Sequence, residues 1–415
     1  LYGEIFYSDD TTKKIESTNR GIPIDIAADA VKDGGQSLIF TETRRRSVSL
    51  ALKSAEVVPK FLTKADMNKA SNMARKILST GEETELSRRL ARAVEHGAAF
   101  HHAGLNPKHR QLIEEGFKSG VLKILTSTPT LAAGVNLPAR RVVLSSLYRY
   151  NSDLGGQTYI SVLDYKQMCG RAGRPKFDTV GETVLPSQTE EEADDIYMRY
   201  VKGEPEPIQS QLARKGALRT HILAAIATLP GMTDSEMDRL FLKTLFANQN
   251  SEDTVKNKMD VAIDFLISEN LIEMRGKRFL ATDFGKRISM LYIDPATGIE
   301  FRQAIKYSER NSSQLTGLLH LIVTVPDFTP RFFMRREDLD NASLFLEEHK
   351  SEFIIPIPEE SDYEAHDEFF QQFRTLMALT NWINESSEEM ILKQNGFEPG
   401  DLHRAVENAD WLLYS

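Results

Sequence analysis

Three short apolar runs in the first half of the chain each pass directly into polar residues. Gln36 to Phe40 leads into Thr41-Glu42-Thr43-Arg44-Arg45, Ala98 to Phe100 into His101-His102-Ala103-Gly104, and Lys123 to Leu125 into Thr126-Ser127-Thr128-Pro129-Thr130. Helical segments separate them, a pattern that predicts a parallel α/β sheet with helices on both faces and a functional edge where the strands end. Val142-Val143-Leu144 adds a further strand, Lys60 to Leu90 reads as a helical insertion, and Lys14 to Thr18 and Ile24 to Asp29 are polar or mixed. A helix-like stretch from Glu190 to Val201 is broken by Gly203-Glu204-Pro205-Glu206-Pro207, which places the end of this α/β domain near residue 205.

Between the Val142 strand and Gln167, Ser145 to Val162 carries two β-prone arms around Asn, Asp and a Gly pair, and predicts a hairpin over about 147–162. From 206 to 292, helical stripes at Leu218–Thr228, Asp234–Leu245 and Asp253–Glu269 precede an alternating Leu271–Thr282 segment with a glycine turn. Three helices and a small hairpin describe a winged helix. The exposed residues of Asp253–Glu269 are as acidic as basic, which favours a structural hinge over base readout.

Residues 293–415 read as all-helical. After Pro399-Gly400, a helical period with Asp401 as amino-terminal cap puts Leu402, Val406, Ala409 and Leu413 on one stripe. Trp411 then falls on the opposite side with Arg404, Asn408 and Ser415. A tryptophan turned away from its own helix's core stripe either packs on a neighbouring domain or stacks on a base, and Arg404 lies about 10 Å along the same face.

Composition narrows the class. With 415 residues, 41% hydrophobic and 27% charged, the chain is an ordinary globular protein of roughly two to four domains. One cysteine excludes an internal disulfide framework and suits a reducing cytoplasm, and no run is long enough to span a bilayer. The net charge of −9 does not favour nucleic acid, but the charge is segregated: residues 139–176 hold seven Arg or Lys against two Asp, whereas 351–370 hold seven Asp or Glu and no Lys or Arg.

The candidate chemistry centres on Gln167-Met168-Cys169-Gly170-Arg171-Ala172-Gly173-Arg174. Arg171 and Arg174 suit the charge of a transferring phosphoryl group, Gly170 and Gly173 let a nucleotide approach the backbone, and Gln167 can orient a water. Taken alone, the octet is also compatible with a solvated basic turn. Gly134 and Asn136, in Thr128-Pro129-Thr130-Leu131-Ala132-Ala133-Gly134-Val135-Asn136, supply the glycine and amide that a phosphate or ribose contact needs. No phosphate-binding Gly-x-x-x-x-Gly-Lys-[Ser/Thr] occurs, and Asp367-Glu368 runs into Phe369-Phe370 rather than a strand end. No metal site is expected: His101 and His102 have no second ligand cluster, and Cys169 reads as packing.

The order IFTETRR, FHHAGL, TPTLAAGVNLPA, QMCGRAGRP resembles the second motor domain of Ski-type DExH helicases of superfamily two, most closely the archaeal Hel/Hjm DNA repair helicases. The resemblance runs the whole length and implies a RecA-like motor domain (1–205), a winged helix (206–292) and a helical ratchet domain (293–415). It also implies a C-terminal fragment, because these enzymes bind ATP and Mg2+ between two RecA-like domains and the first supplies the phosphate loop and the magnesium carboxylate. The start at Leu1 and the end inside a helical pattern agree with a fragment.

On this resemblance Arg171 and Arg174 sense the γ-phosphate, Gln167 aids the attacking water, and Gly134, Asn136, Gly170 and Gly173 lie by the nucleotide. Thr43, His102, Thr128 and Thr130 lie along the nucleic acid, the hairpin parts the duplex with Tyr148, Arg149 and Tyr150 against the first unpaired base, and Arg404 and Trp411 grip the translocating strand. The implied partners are single-stranded and forked DNA and the missing first RecA-like domain, in a cytoplasmic monomer without membrane contact. A Ski-type RNA helicase and a non-catalytic winged-helix protein remain as alternatives.

Overall fold

The strands expected in the first half of the chain pair side by side as the core of a doubly wound sheet. A computed structural model describes residues 2–7, 11–131, 135–151, 156–175, 178–214, 216–308, 315–359 and 361–415. The chain forms two compact units, Leu1–Glu206 with Ser387–Asp401, and Pro207–Ser386 with Leu402–Ser415.

In the first unit an amino-terminal hairpin, β1 (Tyr2–Phe6) and β2 (Thr12–Glu16), precedes α1 (Ile22–Lys32). The parallel sheet follows: β3 (Ser37–Phe40), β4 (Ala98–His101), β5 (Ile124–Ser127), β6 (Arg141–Leu144) and β9 (Glu182–Val184), in the order β4-β5-β3-β6-β9. The first four strands are buried at every position, which is why they read as apolar runs without alternation. Their side chains nevertheless sort by face. Leu38, Phe40, Leu125, Val142 and Leu144 join one apolar cluster and Ile39, Ile124 and Val143 the other.

The first cluster is closed by α2 (Arg44–Ala55), α4 (Glu85–Glu95) and α5 (Pro107–Lys118), the second by α1 and the hairpin residues Ile5 and Ile15. The Lys60–Leu90 stretch is therefore no insertion. It breaks into α3 (Lys64–Leu78) and α4, each opened by a threonine capping box, and α4 buries Leu86, Leu90 and Val94 in the core. The mixed Ile24–Asp29 stretch lies within α1, whose apolar face is buried on the sheet.

Arg141 opens the inner strand β6, between β3 and β9, and is 1% exposed. Its guanidinium donates to Glu182 Oε2 at 2.7 Å, Asp29 Oδ2 at 2.7 Å and the Ile26 carbonyl at 2.9 Å. It therefore ties β6 to α1 and to β9. Burial pushes the Asp29 carboxyl up, and hydrogen bonds from Lys13 and Arg141 more than reverse this, leaving its pKa below the usual carboxylate range.

The second unit contains the expected three helices and hairpin, with two additions. Ala217–Thr228 and Glu252–Ser268 are single helices, but the Asp234–Leu245 stripe breaks into Asp234–Phe241 and Leu245–Gln249, because the Thr244 hydroxyl caps a new turn. Ile272–Arg275 and Arg278–Ala281 pair about Gly276 at φ +64°, Met232–Thr233 adds a third strand, and Asp283–Leu291 follows as a further helix. Beyond it come Pro295–Ser308, Leu315–Thr324, Leu339–His349, Tyr363–Phe370 and Phe373–Ile383, with His320, Phe353, Phe369 and Phe373 in an aromatic core. Among the described residues no helix is long and apolar enough to cross a membrane.

Replacing Arg141 with Met leaves Asp29 and Glu182 in an enclosed site without their shared counter-ion, and should lower stability in urea titrations by about 3–5 kcal/mol. A loss under about 1 kcal/mol would remove the tie from the account. Because the Asp29 pKa is depressed on folding, its stabilisation is present above about pH 4 and is lost as pH falls through the folded pKa, so the Asp29→Asn variant should lose less stability than the parent on acidification.

Candidate nucleotide and nucleic-acid interface

Thr43, His102, Thr128 and Thr130 follow the carboxyl ends of β3, β4 and β5, whereas Asn136 and the Gly170–Arg174 turn lie at the amino end of β6. Asn136 and the Gly170–Arg174 turn arrive from segments more than thirty residues apart and are joined by backbone. Ala139 N donates to the Arg171 carbonyl at 2.9 Å and Gly173 N to the Ala139 carbonyl at 2.7 Å, forming a parallel bridge between Ala139 and Ala172. Gly173 makes the turn at φ +90°, in a region that side-chain-bearing residues avoid. Gly181 passes so close that a Cβ there would overlap Gly173 N and the Ala172 carbonyl carbon.

The turn follows α6 (Val162–Cys169), capped at its start by Ser161. Met168 is buried, whereas Gln167 and Gly170 are exposed and Arg171 is half-buried. Asn136 is exposed; Gly134 lies outside the described residues. Arg174 is engaged: its Nε and Nη2 donate to Asp178 at 2.8 Å each and its Nη1 to Gln36 Oε1 at 2.9 Å. The hydrogen bonds from Arg174 hold the Asp178 carboxyl below its ordinary pKa. Cys169 is partly covered and burial pushes its thiol up, which fits packing and not nucleophilicity.

At the carboxyl end of the sheet Thr43 is exposed and caps α2, its hydroxyl accepting from Arg46 N at 3.1 Å. Thr128 and Thr130 share a hydrogen bond of 2.9 Å between their hydroxyls, and Thr130 is exposed. His102 departs from expectation: it is fully buried, stacked on Phe100 at 5.5 Å, and burial together with Arg44 lowers its pKa to about 3. Its ring faces the core and not the surface where a strand could touch it. Among the described residues no three His, Cys, Asp or Glu converge as metal ligands, and none here offers a carboxylate set for Mg2+.

The hairpin forms as β7 (Tyr148–Asn151) against β8 (Gly156–Tyr159), and its tip, residues 152–155, lies outside the described residues. Tyr148 is 40% exposed, but its ring lies 4.4 Å from that of Tyr159, with a 2.7 Å hydrogen bond between their hydroxyls. Arg149 is exposed and ion-paired with Asp164 at 3.0 Å. Tyr150 lies in β7.

The final helix runs Pro399–Tyr414, three residues longer at its start than expected, so Asp401 is not its cap. Asp401 lies in the first turn, where its carboxylate binds Arg44: Nη2 donates to Oδ1 at 2.9 Å, Nη1 also reaches Oδ2, and Nη1 donates to Glu398 at 2.8 Å. Gly104 and Gly400 allow this approach, with Gly400 N donating to the Gly104 carbonyl at 2.8 Å. The buried stripe is Leu402, Ala405, Ala409 and Leu412; Leu413, assigned to it from the period, is 57% exposed. Arg404 and Trp411 are both exposed, Trp411 at 37%. Asn408, between them, donates to the Thr329 carbonyl.

The basic stripe of residues 139–176 is thus partly neutralised, with Arg141, Arg149 and Arg174 paired to carboxylates. Sequence reasoning missed Arg44, Tyr159 and Arg199. Arg44 stood inside a quoted motif, but its partners Glu398 and Asp401 lie more than 350 residues away.

Comparisons with known proteins agree with this layout. The helicase conserved C-terminal domain matches residues 22–176, a helix-turn-helix domain 181–273, and archaeal helicase domain 4 residues 316–415. ATP-dependent DNA helicase Hel308 of Methanocella arvoryzae is 36% identical over 99% of the chain and 56% of its own length. The proteins of the same description from Pyrococcus horikoshii and Pyrococcus abyssi are 36% and 35% identical over all of the chain and 56% of theirs. The chain spans about half the length of these curated relatives.

Because the Gly181 contact is with backbone on both sides, Gly181→Ala should force β9 away from the Ala172–Gly173 turn and lower stability by about 1–3 kcal/mol. Denaturant titration of the purified chain reads this directly, and a change within about 0.3 kcal/mol would show that the turn does not depend on the approach.

Proposed function

The chain belongs to the Hel308 family of archaeal helicases, and from that premise we propose that it supplies the second motor domain, winged helix and ratchet region of an ATP-dependent DNA helicase acting on forked DNA in repair or recombination. The observation that carries this reading is the backbone bridge between Ala139 and Ala172, which brings the Asn136 segment and the Gly170–Arg174 turn to one edge of the sheet. Such an edge suits the γ-phosphate side of ATP: two glycines let the phosphates approach and Arg171 stands half-exposed beside them. ATP, bound with Mg2+ against a first motor domain, supplies the free energy of the cycle.

In this reading Arg171 neutralises charge on the transferring phosphoryl group, and Gln167, on the exposed face of α6, orients water. Arg174 holds the turn through Asp178 and Gln36, and reaches phosphate only by exchanging those partners. Thr43 and Thr128, with Thr130, contact the phosphates of one strand, and Thr43 adds the amino-terminal end of α2 to that contact. The hairpin parts the duplex with Tyr148, Arg149 and Tyr150. Arg404 and Trp411, exposed on one helix, engage successive nucleotides of the loaded strand. The enzyme is read as a cytoplasmic monomer.

In the full-length enzyme Trp411→Ala should reduce fork unwinding about tenfold or more, the size of one lost base stack, while DNA-stimulated ATP hydrolysis falls less than about twofold. Equal losses in both would assign Trp411 to folding and remove the ratchet.

A further inference from the structure

We propose that Arg199 is a positioning residue for strand separation: it holds Tyr159 against Tyr148, so that the pair forms, at the root of the hairpin, a stacking platform for the nucleobase released at a duplex–single-strand junction. This rests on the helicase reading of the hairpin and deepens it.

The strand register places Tyr148 and Tyr159 directly opposite one another in the last pair before the hairpin leaves the domain. Directly opposed aromatic residues on a two-stranded ribbon contact each other, and here the rings meet at 4.4 Å with a 30° tilt. They are 40% and 44% exposed, so the pair is a surface feature and not part of the core. A two-stranded hairpin is weakly stable by itself, and its root needs support from elsewhere.

That support comes from the helix Glu190–Ile196, which widens into a π-helical turn at Tyr197–Val201, with Lys202 N donating to the Tyr197 carbonyl at 3.0 Å. Such turns are rare and gather at functional sites. This one divides two neighbours. Tyr200 points inward, fully buried, donating from its hydroxyl to the Ile160 carbonyl at 3.0 Å and packing on Tyr165 at 5.2 Å. Ile160 adjoins Tyr159 in sequence. Fixing Tyr200 there carries Arg199, one residue earlier, over the Tyr159 ring, with the guanidinium carbon 4.2 Å from its centroid. Gly203 completes the turn, since a Cβ there would run into the Arg199 carbonyl oxygen.

Arg199 is an exposed residue whose guanidinium lies on the Tyr159 ring. Its closest recorded partner is an aromatic face. A cation over a tyrosine face restrains the ring, and a restrained Tyr159 presents Tyr148 in one orientation. An incoming base then meets a prepared surface, and the nearby positive charge also favours its phosphate.

The test uses the 415-residue chain and a DNA fork carrying 2-aminopurine at the first unpaired position, whose fluorescence is quenched when the base stacks. The parent chain should quench the junction probe. Arg199→Gln should weaken the quenching about threefold or more, the range of one exposed cation–π contact, and Arg199→Lys should restore most of it by keeping a cation. Tyr159→Leu should abolish it, and circular dichroism confirms that each variant is folded. Quenching kept in Arg199→Gln overturns the role of Arg199 alone. No junction quenching by the parent chain overturns the platform together with the hairpin reading.

Discussion

Two backbone hydrogen bonds, from Ala139 N to the Arg171 carbonyl and from Gly173 N to the Ala139 carbonyl, are the constraint on which the candidate site depends. They act before any side chain does. With them, residues 135–139 and 170–174 form one surface at the amino end of a five-stranded parallel sheet, just ahead of β6; without them, the 170–174 turn would hang on α6 alone. The fold supplies the conditions for that bridge. Gly173 accepts a backbone angle closed to other residues, Gly181 leaves room behind the turn, and buried Arg141 ties β6 to α1 and β9. Stability and site are thus coupled through the same strand, which begins two residues after Ala139.

Electrostatics refines this account. A count of charges over residues 139–176 exaggerates the field at the edge, because a paired arginine projects little potential at distance. Arg141 serves the core, Arg174 its own turn and Arg149 a neighbouring aspartate. Under the proposed function, contacts with a strand would rely on hydroxyls, helix ends and stacking as much as on net charge. An overall charge of −9 is compatible with strand binding under that division of labour.

Much of the fold was legible because buried parallel strands write themselves as unbroken apolar runs and glycine marks tight turns. The winged-helix stripes were legible for the same reason, although Thr244 redirected one of them. The final helix shows where periodicity fails: with Asp401 taken as cap, Leu413 entered the buried stripe, whereas the helix begins at Pro399 and its core face runs through Ala405 and Leu412. A charged residue at a helix start can cap or can pair with a distant cation, and sequence alone does not separate these uses. His102 was misplaced and Arg199 overlooked for a related reason. Whether a ring or a guanidinium faces solvent, core or another ring is decided by partners remote in sequence, such as Glu398 beside His102 and Tyr159 beneath Arg199.

The central claim is that these 415 residues hold the arginine side of an ATP site and not its phosphate-loop side. Steady-state ATP turnover in the presence of single-stranded DNA tests it most directly, measured for this chain alone and for the chain joined to its first motor domain, each with and without Arg171→Ala. The account predicts no turnover by the chain alone, turnover by the joined protein, and a loss of about a hundredfold or more on removing Arg171. Hydrolysis by the chain alone, or a joined enzyme indifferent to Arg171, would contradict it.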